Sequence, residues 1–296
     1  MKSRFLFPGY CRYIGYLLGI PGFVLGYFVL YQNYEIPGFV LRLRATDTLF
    51  LKALENFTNE LALTLVIVGL LLVAFSKVKQ EDELTGKIRL NALYWAILVN
   101  YGFYLLFTIL MFVPSSNQHS GFGFFDNYLD FTIYNLFVPL LIFILRFYYL
   151  LYQNKNEYNI KAVRYLTNKP YRFIGKWLSI IIICFLIVNR VFPLKVNFLE
   201  STFIVLPISL LIWAYSKEKT EDEYINATRL EAMQVAVYVN YVILLVSNIL
   251  FYSSDFLEIQ LLNLITIPLI FIVWFQYKLH STNNESHLKK TTTLAL

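Results

Sequence analysis

Long apolar runs alternate with short polar connections along this chain, and eight of the runs approach the roughly 20 helical residues needed to cross a hydrocarbon core. They cover 13–31, 61–75, 92–113, 131–151, 173–192, 201–215, 232–252 and 259–277. Runs 61–75 and 201–215 are short, and their ends extend into flanking polar sequence if they span. The pattern predicts an all-α, polytopic membrane protein of eight transmembrane helices. The first run is followed by Gln32-Asn33-Tyr34-Glu35 rather than a small-residue cleavage pattern, so it is expected to remain as an anchor.

Composition agrees: 58% of residues are hydrophobic, 15% are charged and the mean hydropathy is +0.56. A globular domain would carry about 25% charged residues. The net charge of +6 would suggest nucleic acid in a soluble chain, but here its distribution matters more. Of the 25 Lys and Arg, all but Arg42, Arg44, Lys52, Arg190 and Lys195 fall on one set of alternate connections. By the positive-inside rule that set is cytoplasmic, and so are both termini. An even number of spans returns the chain to its starting side. Direct nucleic-acid binding is not expected.

Two stretches nearly copy each other: Ser76-Lys77-Val78-Lys79-Gln80-Glu81-Asp82-Glu83 and Ser216-Lys217-Glu218-Lys219-Thr220-Glu221-Asp222-Glu223. Each leads to an Arg-Leu pair (Arg89-Leu90, Arg229-Leu230) and then to Val-Asn-Tyr (Val99-Asn100-Tyr101, Val239-Asn240-Tyr241). Arg12 and Gly15 match Arg172 and Gly175; Asn135 and Phe143 match Asn263 and Phe271. The reading is a tandem duplication. Residues 1–151 form a first four-helix module, 152–170 a cytoplasmic linker, 171–278 a second module and 279–296 a polar disordered tail. With an even number of spans each, the modules enter the membrane in parallel orientation.

These residues carry a resemblance. The pattern Pro170-Tyr171-Arg172-x-Ile174-Gly175, the Ser-Lys-x-Lys-x-Glu-Asp-Glu segment, Arg229-Leu230-Glu231 and Val-Asn-Tyr resembles a group of short four-helix membrane proteins of Bacteroidetes-type bacteria. The first copy departs from it, with Gly9-Tyr10-Cys11-Arg12 and Arg89-Leu90-Asn91. The resemblance implies a multi-pass protein of the bacterial inner membrane, and such proteins are often encoded beside small helix-turn-helix regulators. It implies a cytoplasmic regulatory partner and no particular reaction.

The repeated motif is the first candidate for chemistry. Lys77, Glu81, Asp82, Glu83 and Arg89, with Lys217, Glu221, Asp222, Glu223 and Arg229, are candidates for a docking or ion-binding surface. Carboxylates suit Mg²⁺ or Ca²⁺, but successive acids on a helix point about 100° apart. Helix termination explains more of the pattern. Thr220 and Glu223 have capping-box spacing, acids in a first turn complement the helix dipole, and the arginines are expected to snorkel to the interface.

Polar residues within the spans are the second candidate. Asn100, Asn135, Asn240 and Asn263 are expected to hydrogen-bond between helices, or alternatively to line a pocket for a small solute. The spans otherwise lack the intramembrane acids, Lys or His that mark ion-coupled transporters. No metal-ligand, phosphate-loop or nucleophile motif is present, so no cofactor, metal or catalytic residue is expected. Cys11 and Cys184 are expected on different levels and unpaired. Gly22-xxx-Gly26 permits close helix approach, for packing or dimerisation. The function expected is a non-enzymatic sensing or docking component; the alternative is a transporter or channel for a small or lipophilic solute.

Overall fold

The computed structural model of the 296-residue chain describes residues 5–41, 55–79, 81–112, 136–153, 163–192, 199–219, 221–251 and 253–294. The helices are α1 (Cys11–Gln32), α2 (Thr58–Ala74), α3 (Glu83–Phe112), α4 (Val138–Gln153), α5 (Phe173–Val191), α6 (Leu199–Ala214), α7 (Glu223–Leu250) and α8 (Ser253–Leu294). α1 stops at Asn33, whose φ of 51° is left-handed and whose N–H returns to the Phe28 carbonyl. Asn tolerates that conformation because its short polar side chain bonds locally. The connection after it carries a two-residue antiparallel ladder, β1 (Val40–Leu41) with β2 (Glu55–Asn56), where the hydropathy pattern predicts only loop.

Among the described residues, four segments are long and apolar enough to cross a membrane: Cys11–Gln32, Asn168–Asn189, Glu223–Leu250 and Leu262–Ser281. The apolar helices Thr58–Ala74, Val138–Gln153 and Val205–Ala214 are shorter. At 1.5 Å per residue a 17-residue helix reaches only about 26 Å, less than the ~30 Å core. The tail expected to be disordered is instead the continuation of α8, which runs to Leu294. No Gly or Pro follows Pro268 to stop it.

The chain divides into two compact units. The first comprises Phe5–Ile160 with Tyr241–Asn263, the second Lys161–Asn240 with Leu264–Leu296. The division falls at 160/161, inside the stretch 152–170 where the sequence places the linker, and again within α7 at 240/241 and within α8 at 263/264. A helix is covalently continuous yet packs by faces, so its two ends join different cores.

In the first unit α1 lies against α2 along a seam of glycines. A Cβ on Gly15 would sit 2.7 Å from the Gly69 carbonyl oxygen, one on Gly69 would sit 2.5 Å from the Gly19 nitrogen, and one on Gly22 would meet Val66 N at 2.8 Å. The contact surface is therefore Gly15, Gly19 and Gly22, spaced three and four apart on one face; Gly26, one turn further along that face, has no neighbouring atom within 4 Å, so the Gly22-xxx-Gly26 pair is not the contact. In the second unit α5 and α6 approach similarly. Gly175 faces Trp213 N, where a Cβ would lie at 2.7 Å, and Ser179 donates to Ser209 Oγ at 2.9 Å.

Candidate functional site

The turn between α2 and α3 is built around Arg89, which is 0% exposed. After Ala74 the successive carbonyls of the turn are met from two sides. On one side Arg89 donates to the Ala74 carbonyl at 3.1 Å and the Ser76 carbonyl at 2.9 Å. On the other, Phe7 N–H donates to the Phe75 carbonyl at 2.9 Å, and Lys77 N–H returns to the Phe7 carbonyl at 2.9 Å. Arg12 closes the series on the Lys77 carbonyl at 3.1 Å. The guanidinium thus takes the place of a neighbouring strand. This gives the turn's backbone the satisfied partners that buried carbonyls require.

Charge is matched as well. Arg89 pairs with Glu81 at 2.7 Å, and the same carboxylate oxygen accepts the Val78 N–H at 2.8 Å. The Phe147 ring of α4 covers the guanidinium, its centroid 4.4 Å away. Phe147 stacks in turn on Phe143, one helical turn earlier. A cation over an aromatic face in a desolvated setting gains about 2 kcal/mol.

Around Arg229, also 0% exposed, the same contacts recur. It donates to the Ala214 carbonyl at 3.2 Å and the Ser216 carbonyl at 2.9 Å, and pairs with Glu221 at 2.8 Å. Glu221 accepts the Glu218 N–H at 2.7 Å. Leu166 takes the part of Phe7, its N–H on the Tyr215 carbonyl and its own carbonyl accepting from Lys217. Phe275 of α8 lies over the guanidinium at 4.9 Å, and Tyr165 lies over it at 4.3 Å. Residues 163–168, placed in the linker by the sequence, are therefore part of this site.

Burial of Arg89 and Arg229 corrects the expectation that they snorkel. A guanidinium stays inside when its donors find fixed acceptors, and here two carbonyls and a carboxylate meet the terminal nitrogens, while Nε has no partner among the described residues. The acids are not on one helix either. Glu81 and Asp82 precede α3, Glu221 and Asp222 precede α7, and only Glu83 and Glu223 are helical. Asp82 is the cap, accepting from Thr85 N–H at 2.8 Å and Thr85 Oγ1 at 2.8 Å; Asp222 accepts from Ile225 N–H at 2.7 Å. The expected capping box rests on Thr220, which lies outside the described residues.

Each carboxylate has a different task, for Glu83 pairs with Lys87 on the surface of α3. They do not converge on a common point. Among the described residues no group of three His, Cys, Asp or Glu is placed to hold a metal. A crevice beside Arg229, lined by Trp213, Ser216, Glu218, Phe271 and Phe275, has room for about one water molecule. That is far below the ~300 Å³ of a small-ligand pocket. Lys77, Lys217, Glu83 and Glu223 are exposed.

The Asp82 cap has a pH signature. Hydrogen bonds from Thr85 backbone and side chain hold its carboxyl below the ordinary value of 3.8. A depressed folded-state pKa stabilises the fold above the unfolded value, and that contribution is lost as pH falls through the folded one. The thermal midpoint of the detergent-solubilised protein is expected to drop as the buffer is acidified below about pH 4. Asp82→Asn, which keeps an acceptor, should flatten this component, whereas Asp82→Ala should cost about 1 kcal/mol at neutral pH.

The four asparagines expected within the spans differ in their surroundings. Asn100 is buried in the first unit, and Asn240 in the second, where its side-chain oxygen accepts from Thr266 Oγ1. Asn263 is half-buried and Asn135 lies outside the described residues. Two further polar contacts engage the residue that follows each Arg-Leu pair, Asn91 in the first copy and Glu231 in the second. Arg146 donates twice to Asn91 Oδ1, at 3.1 and 3.0 Å, and Lys278 pairs with Glu231 at 2.9 Å. Cys11 and Cys184 are free thiols. Phe147 and Phe275, which cover the arginines, were open to detection, since they stand four residues beyond the matched Phe143 and Phe271.

No family model matches this chain, and neither a curated protein nor a solved structure is significantly similar to it. Geometry is therefore the basis for reading function.

Proposed function

We propose that this chain is a non-enzymatic component of a bacterial inner membrane. In this reading eight transmembrane helices form two tandem, parallel four-helix modules, with both termini cytoplasmic. Each module offers a charged turn to a cytoplasmic regulatory protein. The observation that carries the reading is the recurrence of one clamp, bond for bond, around Arg89 and Arg229.

A buried ion pair adds little net stability compared with apolar packing, so its value lies in fixing one geometry. Here what it fixes is a turn whose outward side chains are charged: Lys77, Lys79 and Glu83 in one, Lys217, Lys219 and Glu223 in the other. Preorganised surface groups bind at lower entropic cost than mobile ones. The solute-conduit alternative draws on polar groups inside the helices: the Asn240 side-chain oxygen is engaged by Thr266, while its Nδ2 and the Gln234 amide have no partner among the described residues.

The test is affinity purification of the full chain from cells with charges reversed at Lys77, Glu83, Lys217 and Glu223, leaving both clamps intact. Surface changes of this kind should move stability by no more than about 0.5 kcal/mol. Loss of a co-purifying protein with an unchanged thermal midpoint is the expected outcome. An unaltered set of partners would sink the docking idea.

A further inference from the structure

Arg12 and Arg172 stand at the same place in the two clamps but differ in how their charge is met. Arg172 reaches the Lys217 carbonyl and pairs with the Glu218 carboxylate. Arg12 reaches the Lys77 carbonyl at 3.1 Å and Ser76 Oγ at 3.3 Å, with its guanidinium 5.4 Å from the Tyr148 ring. The residue placed like Glu218 is Val78, since each donates its backbone N–H to the glutamate three residues on. Arg12 thus has no carboxylate within ion-pair reach among the described residues.

The rest of that turn does not supply one. Glu81 is taken by Arg89, Asp82 caps α3 and Glu83 pairs with Lys87. Lys77 and Lys79 are exposed beside it. Tyr10 and Tyr13, 64% and 75% exposed, bracket Arg12 in the chain. Aromatic residues of this kind favour the headgroup level of a bilayer. A half-buried guanidinium without a counter-ion attracts an anion, and its planar fork matches phosphate oxygens.

We propose that Arg12, with Lys77 and Lys79, binds the phosphate of an anionic phospholipid headgroup. The inference rests on the reading that the chain spans a membrane. Bulk zwitterionic lipid presents the same phosphate with a compensating cation, so the surplus positive charge selects the anionic class. Arg172, neutralised by Glu218, does not bind it.

The test uses the full chain in phosphatidylcholine nanodiscs doped with phosphatidylglycerol, with retained lipid counted by native mass spectrometry. The wild type should hold phosphatidylglycerol above its proportion in the disc. Arg12→Gln should weaken that retention by roughly five-fold or more, the effect of one interfacial cation. Val78→Glu leaves Arg12 in place and supplies the carboxylate that Arg172 has, so it should weaken retention equally without removing a clamp bond. Glu218→Val should add retention, and Arg172→Gln should change nothing. Equal retention by wild type, Arg12→Gln and Val78→Glu overturns the proposal. Displacement of the lipid by inorganic phosphate at equal concentration also overturns it, since the site would then belong to a free anion. Failure of the chain to enter discs of either composition would overturn the membrane reading itself.

Discussion

Arg89→Ala is expected to destabilise the detergent-solubilised protein by about 3–5 kcal/mol, and Arg229→Ala by a similar amount. The size follows from what is left behind. Removing the guanidinium strips partners from the Ala74 and Ser76 carbonyls and leaves the Glu81 carboxylate without its cation. An orphaned buried acceptor costs about 1–3 kcal/mol, and a charged one more. The two sites should respond alike because the bonded atoms correspond one to one. Arg89→Lys should recover only part of the loss, since an ammonium lacks the planar fork that spans two carbonyls and a carboxylate. Glu81→Gln keeps an acceptor but removes the charge and should fall between. Thermal unfolding followed by circular dichroism orders the four variants. A midpoint for Arg89→Ala within a degree or two of wild type would mean that the clamp is not holding the turn.

Gly69→Ala should be the next most damaging change, at about 1–3 kcal/mol, the usual cost of overpacking. Its new methyl would lie 2.5 Å from the Gly19 nitrogen and 2.8 Å from the Gly15 carbonyl oxygen. Both are backbone atoms, so no rotamer relieves the clash and α1 must move away from α2. In a bilayer, close packing of this kind is a main source of helix association. Gly175→Ala should behave similarly, meeting Trp213 N at 2.7 Å. Gly26→Ala and Gly102→Ala meet nothing within 4 Å. They should be neutral or stabilising by up to about 1 kcal/mol, through helix propensity alone. Equal midpoints for Gly69→Ala and Gly26→Ala would overturn the seam.

Sequence pattern and structure agree best where one residue type answers one physical demand. The apolar runs mark helices because hydrocarbon-facing backbone must bond within its own segment. The acids before α3 and α7 are readable as helix starts, and the capping atoms belong to Asp82 and Asp222. Arg89 and Arg229 were visible as repeated residues, but their role was not. A charge at a span end snorkels unless acceptors are held in reach, and those acceptors are main-chain carbonyls, which every residue possesses and no motif displays. Phe7 and Leu166 are unmarked in the sequence for the same reason, since they contribute backbone groups to the clamps. The glycine seam needed the partner helix, because Gly15, Gly19, Gly22 and Gly26 look equivalent until α2 shows which of them it touches.

By itself, then, the sequence determined a helical, membrane-compatible chain with one charged motif written twice and its positive charge confined to alternate connections. Those are consequences of local composition and spacing. Tertiary structure decided what the motif does. It buried both arginines, shared out three neighbouring acids among ion pair, cap and surface pair, and gave Arg172 a carboxylate that Arg12 lacks. The physical reason is that burial and pairing depend on groups brought together from distant parts of the chain, such as Phe7, Ser76, Arg89 and Phe147.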